Sequence, residues 1–422
     1  MDSYLPRLID ATIQSSLKEV GCVVVEGPKW CGKSTSAKLF AKTIVELQWP
    51  PTFNQYKIFA STGDAALLTG ETPLMFDEWQ AIPELWNYVR AEVDRRGGKG
   101  QFILTGSAKP KEDKNRHSGT GRMKRVVMRP MSMWESHDSD GTVSLEALFD
   151  GSASASGRAK HNLTDIAKIV CRGGWPAAVT EADPVVAMTS AVNYVDALVT
   201  EDIVEIDEIK RDPARARAIL RVYARNISQG TRIGTLLSDA EMKGTVADPR
   251  TFDSYVNAFK KLYVIEDVAA WSPYLRSKAA LRTTDTRQFV DPSVAAVVLG
   301  ATSTDIMKDL NTFGFLFESM CIRDLRVYSQ RLGGTVYNYR DSAGLETDAV
   351  IHLNNGKWGA IEIKLGGDSA VALGAKHLLQ LREKIDTEQM NPPSFLLVLT
   401  ATGYAYRRPD GVYVLPIGCL KD

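Results

Sequence analysis

The chain has 422 residues, of which 44% are hydrophobic and 24% are charged, so it is expected to be globular rather than disordered. Lysine plus arginine equals aspartate plus glutamate at 51 each, so no overall field attracts nucleic acid or membrane phosphates. Binding of that kind would need a local patch of charge. At roughly 100–200 residues per domain the length allows several domains, and we predict three.

Cysteine usage and hydropathy point to a reducing, aqueous compartment. The five cysteines lie far apart and form no CxxC pair, which argues against a disulfide framework and a zinc site. Residues Met1–Ile9 lack the apolar stretch of a signal peptide, and no uncharged apolar run of about 18 residues occurs. We therefore expect a soluble cytoplasmic protein without a membrane partner.

The first third of the chain alternates short apolar runs with helical patterns, which predicts an α/β unit with a parallel sheet. The predicted elements are the strand Cys22–Glu26, a helix over Thr35–Val45, the strand Pro73–Phe76, the helix Leu85–Asp94 and the strand Phe102–Thr105. The low-complexity stretch Gly151–Gly157 follows as a predicted flexible connector. We place the first domain at residues 1–155.

The remaining sequence predicts two further domains. Residues 160–300 read as mostly helical, and inside them two helices, Gly234–Met242 and Pro249–Leu262, precede a β-rich run, Tyr263–Trp271, with a later partner in Arg287–Val290. This order is typical of a winged helix. Residues 301–422 read as a second α/β domain, in which a helix over Phe313–Tyr328 precedes three runs of alternating apolar residues. A helix near Ala375–Lys384 and a strand at Phe395–Thr400 complete it.

A phosphate-binding pattern follows the first predicted strand. Residues Glu26–Thr35, EGPKWCGKST, fit G-x-x-x-x-G-K-[ST] between an apolar run and a helical pattern. The glycines let successive N–H groups face phosphates, and the helix adds its positive end. Lys33 is expected to meet the β- and γ-phosphates of ATP, and Ser34 to ligate Mg²⁺. The predicted nucleotide-binding residues are Gly27, Pro28, Lys29, Trp30, Cys31, Gly32, Lys33, Ser34 and Thr35.

Two later strands supply the expected partners of this loop. Leu74–Glu78 (LMFDE) ends a buried strand in two carboxylates, which suits Asp77 to the Mg²⁺ shell and Glu78 to orienting the attacking water. A strand running into an acidic turn is the alternative. Phe102–Ser107 reads as another buried strand. Its Thr105 and Ser107 are positioned like the γ-phosphate sensor of ATPases that insert an extra strand beside the P-loop strand.

A basic segment, Lys109–Arg125, holds seven lysines and arginines against two acidic residues. Such a run is most often a solvated loop. Its position makes Arg122 a candidate arginine finger, because transition-state charge on the γ-phosphate needs a cation. Arg122 could act within its own subunit or reach the site of a neighbour.

The motifs together resemble a known family. The tract EGPKWCGKST, followed by LMFDEWQ, FILTGSA, HSGTGR and MRPMSMWES, closely resembles a group of prokaryotic AAA-type ATPases that carry a C-terminal domain of unknown function. The similarity spans about Tyr4 to Glu135 and continues more loosely to the C-terminus. It implies an AAA-type core in which Lys33, Asp77 and Glu78 have the roles described above.

The last domain contains a predicted β-hairpin with opposed carboxylates. The turn Asn354-Asn355-Gly356 has glycine at the left-handed position, and symmetry about it pairs Asp348 with Glu362 and Glu346 with Lys364. Alternation then predicts one buried face and one charged face. The apolar face consists of Ala349, Ile351, Leu353, Ile361, Ile363 and Leu365.

An ordinary hairpin explains Glu346 against Lys364 but not Asp348 against Glu362, since opposed like charges destabilise a sheet. A second divalent metal, Mg²⁺ or Mn²⁺, would reverse that effect. The arrangement resembles the PD-(D/E)xK nuclease core, with Asp348, Glu362 and Lys364 in the motif, Thr347 in place of its proline, and Glu318 on the preceding helix as a further candidate ligand. Such a domain either cleaves nucleic acid or keeps the fold only to bind.

The sequence therefore predicts an ATPase whose nucleotide state is relayed through a helical, winged-helix-bearing middle domain to a restriction-endonuclease-like domain. One alternative is an ATP-regulated DNA nuclease. The other is an ATP-dependent switch whose last domain recognises a DNA or protein partner without cleavage. The predicted recognition helix, Pro249–Leu262, offers Arg250, Lys260 and Lys261 for DNA, although such helices also pack against AAA-type cores.

Overall fold

The computed structural model describes residues 4–108, 118–207, 209–242, 244, 248–273 and 284–422. Up to residue 130 the elements are α1 (Leu8–Glu19), β1 (Cys22–Glu26), α2 (Lys33–Lys38), β2 (Thr43–Glu46), α3 (Pro50–Thr62), β3 (Leu74–Asp77), α4 (Leu85–Arg96), β4 (Phe102–Gly106) and β5 (Met123–Val127). None of the helices in the described residues has the length and apolar character needed to span a lipid bilayer.

From residue 131 to 300 the elements are β6 (Val143–Ser144), α5 (Leu145–Asp150), β7 (Gly157–Arg158), α6 (Leu163–Arg172), α7 (Pro176–Thr180), α8 (Pro184–Ala197), α9 (Ile203–Glu205), α10 (Pro213–Ala224), α11 (Ile233–Met242), α12 (Pro249–Lys261) and α13 (Pro292–Leu299). A π-helical turn, Leu198–Asp202, joins α8 to α9. The rest contains α14 (Ser303–Lys308), α15 (Leu310–Arg331), β8 (Gly334–Arg340), β9 (Glu346–Leu353), β10 (Trp358–Lys364), α16 (Asp368–Lys384), β11 (Phe395–Thr400), β12 (Tyr404–Arg407), β13 (Tyr413–Pro416) and β14 (Leu420–Lys421).

Chain contacts define two compact units. The first unit consists of Met1–Pro130, Asp202–Lys210 and Asn257–Val264, and the second of Met131–Glu201, Arg211–Val256 and Ile265–Asp422. The first unit therefore ends its continuous part at residue 130, where the sequence predicts a domain boundary near 155. The predicted connector Gly151–Gly157 lies inside the second unit, because β6 pairs with β14 and β7 pairs with β12. Two-residue strands leave no periodic signal in a sequence.

The first unit is built on a parallel five-stranded sheet in the order β2-β3-β4-β1-β5. Parallel strands are buried on both faces, so they read as continuous apolar runs. Alternate residues of β1 enter two separate cores: Cys22 and Val24 join one, which includes Trp79 and Trp86. Val23 and Val25 join the other, with residues of α1.

One helix prediction in the first unit is wrong. The helical pattern predicted over Thr35–Val45 ends at Lys38, and Thr43–Glu46 forms the edge strand β2 beside β3. The β-branched run Thr43-Ile44-Val45 alternates in burial, as a half-buried strand does, and favours extended backbone. The helical pattern was fitted across α2 and β2 together, so it did not reveal that the helix ends and a strand begins.

The second unit contains a seven-stranded mixed sheet in the order β7-β12-β13-β11-β10-β9-β8. Strands β8, β9 and β10 are antiparallel neighbours, whereas β10, β11 and β13 run parallel. Helix α15 contacts β8, β9 and β10, and α16 packs on β10 and β11. The predicted helix and strands of this domain are thus confirmed, with α15 and α16 starting earlier than predicted.

The winged-helix order is present in outline only. Helices α11 and α12 match the two predicted helices. The β-rich run Tyr263–Trp271 forms no strand among the described residues, but isolated antiparallel bridges join Ile265 to Phe289 and Val268 to Thr286. The predicted partner segment Arg287–Val290 is therefore correctly placed, and the winged-helix type itself stays a prediction.

Candidate functional site

The loop between β1 and α2 has the backbone shape of a phosphate-binding turn. Gly27 has φ +154°, and a Cβ there would lie 2.1 Å from the carbonyl oxygen of Met128, so only glycine fits. Gly32, with φ 102°, precedes the first residue of α2. Trp30 also has positive φ, at 65°, which is strained for a bulky residue. The positive φ angles at Gly27, Trp30 and Gly32 thus curl the loop between the carboxyl end of β1 and the start of α2.

Lys33 is buried beneath this loop. Its Nζ donates a hydrogen bond of 2.8 Å to the carbonyl oxygen of Pro28, and its side chain is 4% exposed. A buried ammonium group needs an acceptor or an anion beside it. Among the described residues, the Lys33 ammonium group therefore has one hydrogen-bond partner, the neutral carbonyl of Pro28.

Ser34, Asp77 and Thr105 meet at the carboxyl edge of the sheet. Asp77 Oδ1 accepts a hydrogen bond of 2.6 Å from Ser34 Oγ and a second one from Thr105 Oγ1. They come from α2, β3 and β4, and β4 lies between β1 and β3. The predicted position of Phe102–Gly106 as an extra strand beside the P-loop strand is confirmed, and the sensor role of its hydroxyls stays a prediction. A hydroxyl and a carboxylate this close are the oxygen ligands that Mg²⁺ prefers, so Ser34 and Asp77 fit that ion.

Glu78 forms a second polar cluster beside the first. Its carboxylate accepts from the Ser107 amide at 3.1 Å and from Ser107 Oγ at 2.8 Å, while its own amide donates to Thr105 Oγ1 at 3.2 Å. Glu78 has φ 55° and ψ 50°, a left-handed conformation that turns the chain sharply after β3. Gln80 also donates to Glu78 Oε2, a contact that the sequence prediction missed.

Arg122 lies at the amino-terminal end of the parallel strands, opposite the carboxyl end at which the P-loop follows β1. It precedes β5, whose first residue, Met123, pairs with Cys22 at the start of β1. The P-loop follows the far end of β1, and five residues of strand span roughly 16 Å. Arg122 Nε instead donates to Asp94 at 2.7 Å. Parallel strands place the start of β5 away from the P-loop of the same chain, and the arginine-finger role of Arg122 stays a prediction.

The structure reveals two supports of the P-loop that sequence patterns do not indicate. Buried Arg7 donates from one nitrogen to the carbonyl oxygen of Cys31 and from another to that of Arg129, both at 2.8 Å. Lys29 forms an ion pair with Asp202, which is 5% exposed. Asp202 follows Lys29 by more than 170 residues, so no local spacing could reveal this pair. The basic run from Lys109 to His117 lies outside the described residues.

The C-terminal hairpin has the predicted register. Trp358 pairs with His352 and Ile361 pairs with Ala349. This is the register that symmetry about the turn predicted. Lys364 Nζ lies 3.0 Å from Asp348 Oδ2 and 2.7 Å from Glu362 Oε2. The predicted partner of Lys364, Glu346, instead pairs with Arg340 on β8 at 3.0 Å. One ammonium group thus bridges the two carboxylates.

The faces of the hairpin differ from the prediction. By alternation Val350, Trp358 and Ala360 share the face of the charged residues, yet they are buried in a core with residues of α16. The hairpin is covered by two helices, because α15 and α16 both pack on it. The charged residues Asp348, Glu362 and Lys364 lie at one end of the hairpin. A cleft of about 670 Å³ opens there between the hairpin and α16. It is lined by Ala343, Gly344, Leu345, Glu346, Asp348, Glu362, Lys364, Leu373, His377, Gln380, Glu383 and Lys384.

Burial and like charge shift the proton equilibria of this cluster. Burial, followed by the Asp348 carboxylate, raises the pKa of Glu362 to about 8. The same two causes raise the pKa of Glu318 above its ordinary value. Burial would lower the pKa of Lys364, but Asp348 and Glu362 raise it. His377, on α16, places Nδ1 3.7 Å from Glu362 Oε2 and was missed by the sequence prediction.

The predicted second metal site stays a prediction. In the described part of the chain no three His, Cys, Asp or Glu side chains are grouped so as to hold a metal ion. The Lys364 ammonium lies between Asp348 and Glu362, and Glu318 forms no ion pair with a described residue. Lys364 thus already balances the charge that a divalent ion was predicted to balance.

Comparison with known proteins supports an AAA-type first unit. Residues 20–137 match the family model of an AAA domain. Residues 163–305 and 313–420 match two domains of unknown function, DUF8612 and DUF4143. No similar protein was found among curated proteins. A solved structure, the Walker-type ATPase of Pyrococcus abyssi, is similar at 17% identity and a TM-score of 0.43, over 70% of this chain and 96% of that one. That likeness is too remote to bear on function. Residues 20–137 are thus similar to AAA domains, as the motifs predicted.

Proposed function

We propose that this protein is a Mg²⁺-dependent ATPase. The observation that carries the proposal is the convergence of Ser34, Asp77 and Thr105 with the P-loop at one sheet edge. Loop amides from Gly27 to Lys33 bind the phosphates, and Lys33 exchanges the Pro28 carbonyl for a phosphate oxygen. Ser34 and Asp77 would hold Mg²⁺, which would supply positive charge to the β- and γ-phosphates.

Hydrolysis is assigned to the second cluster. Glu78 orients the attacking water, and Thr105 and Ser107 lie beside it where a γ-phosphate sensor is expected. Arg122 remains a candidate arginine finger, and its position at the start of β5 favours the site of a neighbouring subunit over its own. Trp30, Cys31 and Thr35 contribute backbone and packing to the loop rather than charge.

The test compares three variants by ATP turnover and nucleotide binding. Lys33→Ala should weaken ATP binding by about 100-fold or more, because the phosphates lose their cation. Glu78→Gln should bind ATP normally and lose about 100-fold in kcat. Lys38→Ala is the matched control, since Lys38 lies on the same helix but pairs with exposed Glu46. Equal turnover in all four proteins would refute the proposal.

The second unit carries a second candidate function. The convergence of Asp348, Glu362 and Lys364 in one cleft favours a site for nucleic acid, either for cleavage with Mg²⁺ or Mn²⁺ or for binding alone. We propose that nucleotide state in the P-loop domain is relayed to this cleft, since loss of a γ-phosphate reorders nearby loops. Capture of a protein partner is the non-enzymatic alternative. DNA contact through Arg250, Lys260 and Lys261 of α12 is a further proposal.

Plasmid nicking in the presence of Mn²⁺ separates these alternatives. Nicking that disappears in Glu362→Ala and Asp348→Ala but survives in Lys33→Ala would support cleavage. Glu383→Ala is the matched control, because Glu383 lines the same cleft but is neither of the two carboxylates that pair with Lys364. Retained nicking in Glu362→Ala would exclude this site as the source. DNA binding without nicking would assign the cleft to recognition.

A further inference from the structure

Gln80 contacts two of the residues proposed for hydrolysis, Glu78 and Ser107. No role has been assigned to Gln80 itself. It lies in the short turn Trp79–Ala81 directly after Glu78. Its Nε2 donates to Glu78 Oε2 and lies 3.3 Å from Ser107 Oγ, to which it also donates. One carboxamide thus links the water-orienting carboxylate to the sensor hydroxyl.

Three donors converge on a single oxygen of Glu78. The amide and hydroxyl of Ser107 and the carboxamide of Gln80 all donate to Oε2. Oε1 accepts no hydrogen bond from any residue that the structure describes. A carboxylate has lone pairs on both oxygens, so saturating one oxygen fixes the rotation of the group and leaves the other for water.

The orientation of the Gln80 carboxamide is kept despite a cost. Its Oε1 is buried and has no hydrogen-bond partner within the described chain. The reversed orientation would place that oxygen against a carboxylate, which is an acceptor only. Gly106 leaves room for this arrangement, because a Cβ there would lie 2.9 Å from Gln80 Oε1 and 3.1 Å from Trp79 Nε1.

We propose that Gln80 is a positioning residue for ATP hydrolysis, which holds the Glu78 carboxylate in the orientation that presents Oε1 to the attacking water. The inference rests on the proposed ATPase function. It predicts that Gln80 affects the rate of hydrolysis through Glu78 and does not affect nucleotide affinity, since its donor points at Glu78 and at Ser107 rather than at the P-loop.

Gln80→Met tests the proposal because methionine keeps the volume and removes the donor. We expect kcat to fall by about 10-fold or more, with ATP affinity unchanged within about 2-fold. The matched control is Gln101→Met. Gln101 Nε2 donates to the Gly98 carbonyl at 2.6 Å and its Oε1 is likewise buried without a partner among the described residues, but it precedes β4 at the opposite sheet edge. That variant should keep the wild-type kcat.

A double-mutant cycle separates positioning from a general effect on the fold. In a Glu78→Ala background, Gln80→Met should lower single-turnover hydrolysis by less than about 2-fold, because its target is gone. An unchanged kcat in Gln80→Met, or the same loss in both backgrounds, would overturn the proposal. If Gln80→Met does not fold, as judged by thermal unfolding, Gln80→Glu keeps the shape and opposes two carboxylates, with a larger expected loss. Absence of Lys33-dependent turnover in the wild-type protein would instead refute the ATPase function.

Discussion

Thr105 shows how one hydroxyl serves two neighbours at the nucleotide site. It donates to the buried carboxylate of Asp77 and accepts from the amide of Glu78. Its side chain is fully buried. A buried polar group that loses its partner cannot form a replacement hydrogen bond with water. The sequence indicates the hydroxyl at the end of β4, but only the strand order shows that it reaches both carboxyl residues.

Thr105→Val removes this hydroxyl with little change in volume. We expect the free energy of unfolding to fall by about 1–3 kcal/mol, because Asp77 loses a donor and the Glu78 amide loses its acceptor. ATP turnover should fall by about 10-fold. Urea denaturation and steady-state kinetics measure the two effects. Thr105→Ser restores the hydroxyl and should recover most of both, and failure of that rescue would contradict the assignment.

Glu362 gives the second unit a pH-dependent stability. Its pKa in the folded protein, about 8, lies above the ordinary value of 4.5. The folded state therefore binds this proton more tightly than the unfolded state does. The contribution is fully present below about pH 4.5 and is lost as the pH rises through about 8. The physical causes are burial and the neighbouring Asp348.

Glu362→Gln should remove this dependence, because glutamine resembles the protonated acid. Relative to wild type, we expect the variant to gain roughly 1–2 kcal/mol of stability at pH 8 and less at pH 5. Thermal unfolding across that range provides the measurement. Glu383→Gln, on the same cleft, is the control. An equal effect at both pH values would show that Glu362 is already ionised in the folded protein.

At the scale of elements, local signals predict well what local interactions determine. The turn Asn354-Asn355-Gly356 fixes the register of β9 and β10, so the meeting of Asp348 and Glu362 could be predicted. The motif glycines fix the shape of the P-loop in the same way. Long-range packing is not encoded locally. The packing of α16 on the hairpin depends on such contacts, so the prediction that this face carries only charges was wrong. Strand β5, which no local pattern predicted, depends on them as well.

Segment Asp202–Lys210 is the clearest element of this second kind. It belongs to the first unit although its sequence neighbours belong to the second. It begins at the end of a π-helical turn, a feature often found at functional sites. Asp202 pairs with Lys29 of the P-loop, and Glu205 adds negative charge near the same ammonium. These carboxylates oppose a bound triphosphate and compete for Lys29.

Asp202→Asn should therefore tighten ATP binding by about 3-fold to 10-fold, with the gain shrinking as salt is added. Lys29→Met should weaken binding. Titration calorimetry at two ionic strengths measures both effects. Exposed Glu201 provides the matched control through Glu201→Gln. Weaker binding in Asp202→Asn would mean that the ion pair orders the loop and that repulsion is the smaller effect.

At the scale of the molecule, the chain forms two compact units, and the proposed function requires that a change in the first unit affects the second. Segments 202–210 and 257–264 bring distant parts of the sequence into the first unit. Any change of the P-loop that reaches them also reaches the chain on either side. This continuity would give the proposed relay to the second unit a covalent route. The three family matches cover residues 20–137, 163–305 and 313–420, whereas packing divides the chain into two units, and the three predicted domains stay a prediction.

Hydrogen exchange with and without a non-hydrolysable ATP analogue examines this route. We expect slower exchange in the P-loop, in residues 74–80 and 102–107, and in segment 202–210. The relay further predicts a change in residues 343–348 and 362–364 of the cleft. Lys33→Ala should abolish every difference. Protection confined to the P-loop would leave ATP binding in place and remove the relay.

ATP binding itself is the premise of each of these expectations, and a calorimetric titration of ATP with Mg²⁺ into the full chain and its Lys33→Ala variant tests it most directly. The account predicts saturable binding by the wild-type protein below millimolar ATP and its loss in the variant. Absence of binding at millimolar ATP, or equal binding by both proteins, would contradict it.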